Sequence, residues 1–211
     1  MAPARTSSVA SAGTAPGLGL RERKKLRTRR AIRQAAYRLF AERGYDATPV
    51  DRIAEEAEVS PSTVFRYFPT KEDIVLTDEY DPLVEEELRG RPSDEPPVRA
   101  VREALCSVLE RVAEEDRDLA EVHRRVRLIR DVPAVRARWE EHNAATRRLL
   151  TTVLSERTGR PADDLELRVV ASAALAALAE ALFVWAENGM RGSPSEQVGR
   201  ALDVLERGLT L

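Results

Sequence analysis

The chain has 211 residues, with 34 Lys or Arg against 36 Asp or Glu for a formal net charge of −2, 43% hydrophobic residues and one cysteine. At this length a core can bury most of the apolar surface without disulfide or metal staples, and the lone Cys106 excludes an internal disulfide and points to a reducing compartment. Few glycines and an abundance of Ala, Leu, Arg and Glu predict an all-α fold.

Residues 1–19 carry Ala, Ser, Gly and Pro with no apolar block behind a basic start. They read as a disordered arm and not as a secretory signal. From Arg21 to Arg43 ten Lys or Arg face only Glu22 and Glu42. Within that run Ile32, Ala35, Ala36, Leu39 and Phe40 recur at helical spacing, which predicts one buried helix face that Gly44 ends. Thr48-Pro49 reads as an N-cap hydroxyl and a proline at the first helical position, with Asp51 completing a variant capping box. The buried face of this second helix is Val50, Ile53, Ala54 and Ala57. Ser60-Pro61 repeats the signal and opens a short helix through Phe68, with Val64 and Phe68 inward. Thr70 and Asp73 start another.

Two short helices joined by a tight turn form a helix-turn-helix, whose second member fits the major groove of B-DNA. A three-helix packing unit without ligands has the same apolar pattern, but it does not predict the polar run Ser62, Thr63, Arg66 and Tyr67, all able to bond with bases or phosphates. Charge supports a polyanion partner. Residues 1–71 hold 14 basic and 7 acidic side chains, a net of +7, and the remainder holds 20 and 29, a net of −9. A solvated basic helix face gives the same count.

Further helices follow. Asp81-Pro82 predicts a break or kink, and Gly90 to Pro97 a loop. Val98, Val101, Leu105, Val108 and Val112 mark one helix, and Leu119, Val122, Val126 and Ile129 the next. Pro133 opens a long helix ending near Gly159, with Val135, Trp139, His142, Thr146, Leu149, Leu150 and Val153 on one side. Pro161 to Asn188 reads as a second long helix, and Ser193-Pro194 with Glu196 caps the last. The apolar run Val169 to Ala179 is too short to span a bilayer, so a cytoplasmic protein with no membrane partner is expected.

The block AAYRLFAERGYDAT followed by VDRIAEEAEVSPSTVFRYFPTKEDIV resembles the TetR family of bacterial transcriptional regulators. That resemblance implies three units: the arm 1–19, a helix-turn-helix domain 20–70, and a helical effector-binding and dimerisation domain 71–211. It implies operator DNA as partner, with a recognition helix from Ser60 to Phe68. Arg66 is the candidate for bidentate base readout, Ser60, Ser62 and Thr63 lie near the helix start, and Thr48, Tyr67 and Lys71 are candidate phosphate contacts. Arg27 and Arg30 are expected at flanking phosphates or a minor groove. Two positions depart from the family pattern. Glu58 stands at a turn position usually held by glycine, and Phe65 stands where a phosphate-contacting tyrosine is frequent.

The resemblance further implies a homodimer through the last two long helices, with the face Val170, Ala173, Ala174, Ala177 and Ala181 and, on the last helix, Ala201 and Leu205. It also implies a repressor released by a small, mostly apolar effector enclosed by the central helices, with Trp139, His142, Thr146, Phe183 and Trp185 as candidate lining residues. The stretch VRLIRDVPAVRARW resembles an actinobacterial subgroup that includes mycofactocin-system regulators, which implies a lipophilic or acyl-CoA type effector. Glu180 reads equally as a pocket anchor or an intersubunit ion-pair partner, and Cys106 as a core filler. Two histidines, one cysteine and no metal-ligand spacing argue against an enzyme, and no cofactor or metal is expected. The rival reading is a helical ligand-binding or adaptor protein with a vestigial DNA head, favoured only by Glu58 and Phe65.

Overall fold

The computed structural model describes residues 20–76, 80–115 and 120–209. The expected arm, and Leu119 of the predicted seventh helix, lie outside them. The described residues form ten α-helices and no strand: α1 (Leu20–Arg43), α2 (Val50–Glu56), α3 (Pro61–Tyr67), α4 (Lys71–Leu76), α5 (Tyr80–Gly90), α6 (Pro97–Glu115), α7 (Ala120–Asp131), α8 (Pro133–Thr158), α9 (Leu165–Glu187) and α10 (Pro194–Glu206).

The periodicity of α1 is realised in full, since Ile32, Ala35, Ala36, Leu39 and Phe40 are all buried. Gly44 takes φ +85°, a conformation that costs a residue without Cβ nothing, and its amide closes the helix on Phe40 O at 3.0 Å. The predicted cap of α2 does not form. Pro49 is the N-cap residue and no side chain caps the helix. Thr48 is instead fully buried, and its hydroxyl donates to Gly44 O at 2.8 Å, so it satisfies the carbonyl of the residue just past α1 rather than an amide of α2.

The other caps follow the sequence. Ser60 Oγ accepts from Thr63 N at 3.2 Å. Thr70 and Asp73 form a reciprocal box: Thr70 N donates to Asp73 Oδ2 at 3.0 Å and Asp73 N donates to Thr70 Oγ1 at 3.2 Å.

Two boundaries differ from expectation. The helix begun at Lys71 is described to Leu76, ahead of Asp81-Pro82, and Pro82 lies in the first turn of the next described helix, α5, where proline is tolerated. The helix after α8 starts at Leu165 rather than Pro161, because the Asp164 carboxylate caps it, accepting from Glu166 N and Leu167 N. That helix, α9, is also long and apolar enough by length and composition to cross a bilayer, where the apolar run Val169 to Ala179 was expected to be too short. Its apolar side chains are divided between the interior, at Leu167, Ala171, Ala174 and Leu175, and an outer face with exposed Leu165, Val169 and Val184.

Two cores result. One joins α5, α6, α8, α9 and α10 around Leu88, Val101, Leu150, Leu154 and Leu202. The other joins α1 to α4 around Ile32, Ile53, Val64, Phe68 and Ile74, and it also takes Ile129 of α7 and Val135 of α8. The head is thus built on the body through α4.

Candidate nucleic-acid interface and internal cavity

The turn between α2 and α3 fixes the angle of α3. Val59 N donates to Ala54 O at 3.0 Å and Glu58 N to Glu55 O at 3.1 Å, the paired bonds of a Schellman motif, with Glu58 at φ +54° in the left-handed position. The usual glycine is absent, yet the turn is closed. Val64 and Phe68 then lock the inner face of α3 into the core. Ser62, Phe65 and Arg66 are exposed on its outer face, and Thr63 and Tyr67 are half-buried. The Arg66 guanidinium lies 5.2 Å from the centroid of the Tyr67 ring, a stacking contact that holds it ready. Ser60 is exposed but its hydroxyl is committed to the cap and within 2.9 Å of the Ser62 and Thr63 hydroxyls.

Arg27 and Arg30 are exposed and border a shallow groove on α1 together with Arg23 and Gln34. Arg29 of the same helix stacks on Phe68 at 5.4 Å, which ties the basic helix to the end of α3.

Two expected phosphate contacts are placed differently. Thr48 has no exposed atom to offer. Lys71 Nζ donates to Tyr45 O at 2.9 Å and Thr48 O at 3.1 Å, and sits 4.1 Å from the Tyr45 ring centroid, so its ammonium holds the loop between α1 and α2. Tyr45 in turn donates to Glu72 Oε1 at 2.8 Å. Burial and the neighbouring Glu72 push its phenol above the ordinary range. For Glu72, burial pulls upward but is outweighed by bonds from its own backbone amide, Tyr45 and Thr70, and the carboxyl is held low.

Between head and body lies a cavity of about 190 Å³, lined mostly by Val, Leu and Ile of α4 to α9. Trp139, His142, Thr146 and Phe183 line it, as expected. Trp185 does not. It follows Phe183 by two residues, about 200° around a helix, and is buried on the other side with Nε1 donating to Gly192 O at 3.1 Å. Thr146 donates to Asp81 Oδ1 at 3.1 Å.

The sequence reading missed the polar end of this cavity. Arg33 and Tyr37 of α1 and Arg125 of α7 line it, and Arg33 pairs with Glu121 at 3.4 Å. Tyr37 is buried and its hydroxyl has no hydrogen-bond partner among the described residues. Burial raises its phenol above the ordinary range, against the opposing charges of Arg125 and Arg33.

On the expected dimer face, Ala174 and Ala181 are buried inside the subunit, and Val170, Ala173, Ala177, Ala201 and Leu205 are half-buried. The outward face of α9 is rotated from the expected one, toward Leu165, Val169, Ala176 and Val184. Glu180 is exposed and borders the α9–α10 groove with Arg200 and Arg207, away from the cavity. Cys106 is half-buried, with Sγ donating to Ser195 O at 3.5 Å, and burial pushes its thiol up to about 11, against the nearby Arg102. It fills space in a setting that suppresses the thiolate.

Residues 32–77 match the family model described as bacterial regulatory proteins, tetR family. Residues 95–210 match that of the MftR C-terminal domain. The chain is 34% identical over 169 residues to the HTH-type transcriptional regulator TcmR of Streptomyces glaucescens, covering 78% of this chain and 75% of that protein. Among solved structures, that of Thermus thermophilus FadR, a TetR family transcriptional repressor in complex with lauroyl-CoA, is similar with a TM-score of 0.53 and 26% identity, over 87% of this chain and 95% of that one. FadR of Bacillus subtilis in complex with stearoyl-CoA shares the fold at a TM-score of 0.58 and 21% identity, over 86% and 99%.

Proposed function

The chain belongs to the TetR family of bacterial transcriptional regulators, and from that membership we propose that it acts in the cytoplasm as a homodimeric repressor, non-catalytic, bound to operator DNA and released by a mostly apolar effector. The observation that carries the reading is the exposed Arg66 on α3, stacked beside Tyr67 on a helix whose inner face is locked into the core by Val64 and Phe68. A guanidinium presented this way bonds bidentately to guanine O6 and N7. A helix of this length covers a few base pairs, so two copies read half-sites about 34 to 36 Å apart or a multiple of that.

The cavity supports an effector-controlled mode. It touches α1, α4 and α8 at once, so a bound molecule that prefers one arrangement of these helices shifts the spacing of the two heads. The acyl-CoA molecules held by the two FadR proteins support a lipophilic, acyl-type effector. The free volume of about 190 Å³ lies below the range of about 300 to 1,000 Å³ usual for drug-sized ligands, so an entire acyl-CoA requires the helices around it to separate.

The test is a titration of the DNA upstream of the protein's own coding sequence against a scrambled duplex, across a range of salt. The expected result is a sequence preference together with an affinity that falls steeply as salt rises. Equal binding to both duplexes at every salt concentration sinks the regulator reading.

A further inference from the structure

Tyr37 of α1 lines the cavity, and its hydroxyl is buried without a hydrogen-bond partner among the described residues. The charged groups that act on this hydroxyl, Arg125, Arg33 and Glu121, line the same cavity, which puts the oxygen at its wall. Burial holds the phenol above its ordinary range, so the group stays a neutral donor. The charges of the lining balance: Arg33 and Arg125 stand against Asp81 and Glu121, and His142 is the lining's one imidazole. Each of the four is also engaged, Arg33 with Glu121 at 3.4 Å, Arg125 through Nη2 with Leu76 O at 3.3 Å, and Asp81 with the Thr146 hydroxyl at 3.1 Å. An ion placed among them would be buried without a counter-charge of its own, which is costly. What the wall lacks is an acceptor for Tyr37. A buried donor left unsatisfied costs the folded protein its desolvation penalty, unless water or a ligand supplies the acceptor.

We propose that the cavity binds a small, neutral, mostly hydrocarbon molecule bearing a carbonyl oxygen, which accepts a hydrogen bond from the Tyr37 hydroxyl while the hydrocarbon part lies among the side chains of α6 and α9. The inference rests on reading the cavity as the effector site. A hydrocarbon without the acceptor fills the aliphatic wall but covers a bare hydroxyl, and an ion brings a charge that the balanced lining does not match. The free volume of about 190 Å³ suits a substituted single ring or a short chain, since an apolar cavity of about 150 Å³ holds benzene. Because Tyr37 belongs to α1, the helix that carries Arg27 and Arg30, this hydrogen bond ties the ligand to the DNA-reading head.

Calorimetric titration of the full-length protein with acetophenone, ethylbenzene and benzoate tests this, at about pH 8, above the ordinary titration range of imidazole. The Tyr37→Phe variant is titrated alongside, its fold checked by circular dichroism. The probes share a ring and nearly a shape: ethylbenzene replaces the carbonyl by a methylene, and benzoate replaces the methyl by a charged oxygen. Acetophenone is expected to bind the unaltered protein at least about tenfold more tightly than benzoate, a comparison that needs no variant. The ratio of acetophenone to ethylbenzene affinity is expected to fall about tenfold in Tyr37→Phe, because only the ketone loses a bond there. Taking the ratio removes the different hydration of the two probes. The inference is overturned if benzoate matches acetophenone, if the ratio is the same in both proteins, as for a hydroxyl satisfied by water alone, or if neither neutral probe binds. An operator titration without sequence preference removes the regulator reading instead and leaves these affinities unaltered.

Discussion

Arg138 of α8 donates from Nε to Oδ1 of Asp73 in α4 at 3.0 Å, across 65 residues of chain. Asp73 is the carboxylate that also boxes the start of α4 with Thr70, so one buried group caps the helix after the reading element and fastens it to the body. Asp73→Ala is expected to destabilise by about 1 to 2 kcal/mol from the lost cap and bonds. Burial by itself raises this carboxyl, but the bonds from Arg138 and Thr70 and the Arg138 charge outweigh it and hold it low. A depressed folded value means that its stabilisation is complete above the unfolded value, about 3.9, and is lost as pH falls through the folded one. Thermal melts of the unaltered protein and Arg138→Ala should therefore differ at neutral pH and converge below about pH 4.

Glu58 occupies a left-handed conformation at φ +54° with its side chain exposed. Glu58→Gly removes the clash between Cβ and the following carbonyl, partly offset by the greater freedom of glycine in the unfolded chain, for a net gain of about 0.5 to 1 kcal/mol. Denaturant unfolding should show a higher midpoint at constant slope. A lower midpoint contradicts the strain argument.

Arg66 and Lys71 are separated by five residues and have different surroundings. Arg66→Ala is expected to weaken operator binding by about 1 to 3 kcal/mol and to relax the preference at one base pair. Lys71→Ala is expected to lower the melting temperature through the loop carbonyls of Tyr45 and Thr48, and to leave the salt dependence of DNA binding unchanged, where a lost phosphate contact would flatten the slope by about 0.9. Binding measured over a salt series, paired with melting curves, separates the two behaviours.

Val169 is 56% exposed on the outer face of α9. Val169→Glu places like charges across a two-fold axis wherever this face meets its own copy. Sedimentation at micromolar concentration is expected to show a shift from dimer to monomer with the helical circular dichroism spectrum retained. A dimer of undiminished strength locates the interface elsewhere.

Much of the head was legible in the sequence because its helices are short, contrasted and punctuated. Ser60-Pro61 and the Thr70–Asp73 box announce two helix starts, and the apolar spacing on α1 names residues that are all buried. Thr48 was misread because a hydroxyl before a proline serves either helix, and only the path of the loop decides which. The bonds of Lys71 were not legible either, its ammonium being turned toward carbonyls of Tyr45 and Thr48 that no pattern places there. On α9, small apolar residues occur all around the helix, so the pattern carried no rotation. Ala174 and Ala181 were expected outward and lie inside, whereas Leu165 and Val169 lie outside. The separation of Phe183 from Trp185 was available from helix geometry alone. Tyr37, one residue off the predicted apolar face, offered no signal, because a phenol is equally at home at a surface or in a core.

The head's core takes Ile129 and Val135 from α7 and α8. Chimeric regulators that exchange reading heads at residue 70 would therefore leave Ile74, Val75 and Leu76 facing a foreign surface, and each graft would need a matching pair at positions 129 and 135. A head swapped between relatives therefore has to fit the side chains at those two places, which couples the choice of reading head to the choice of body.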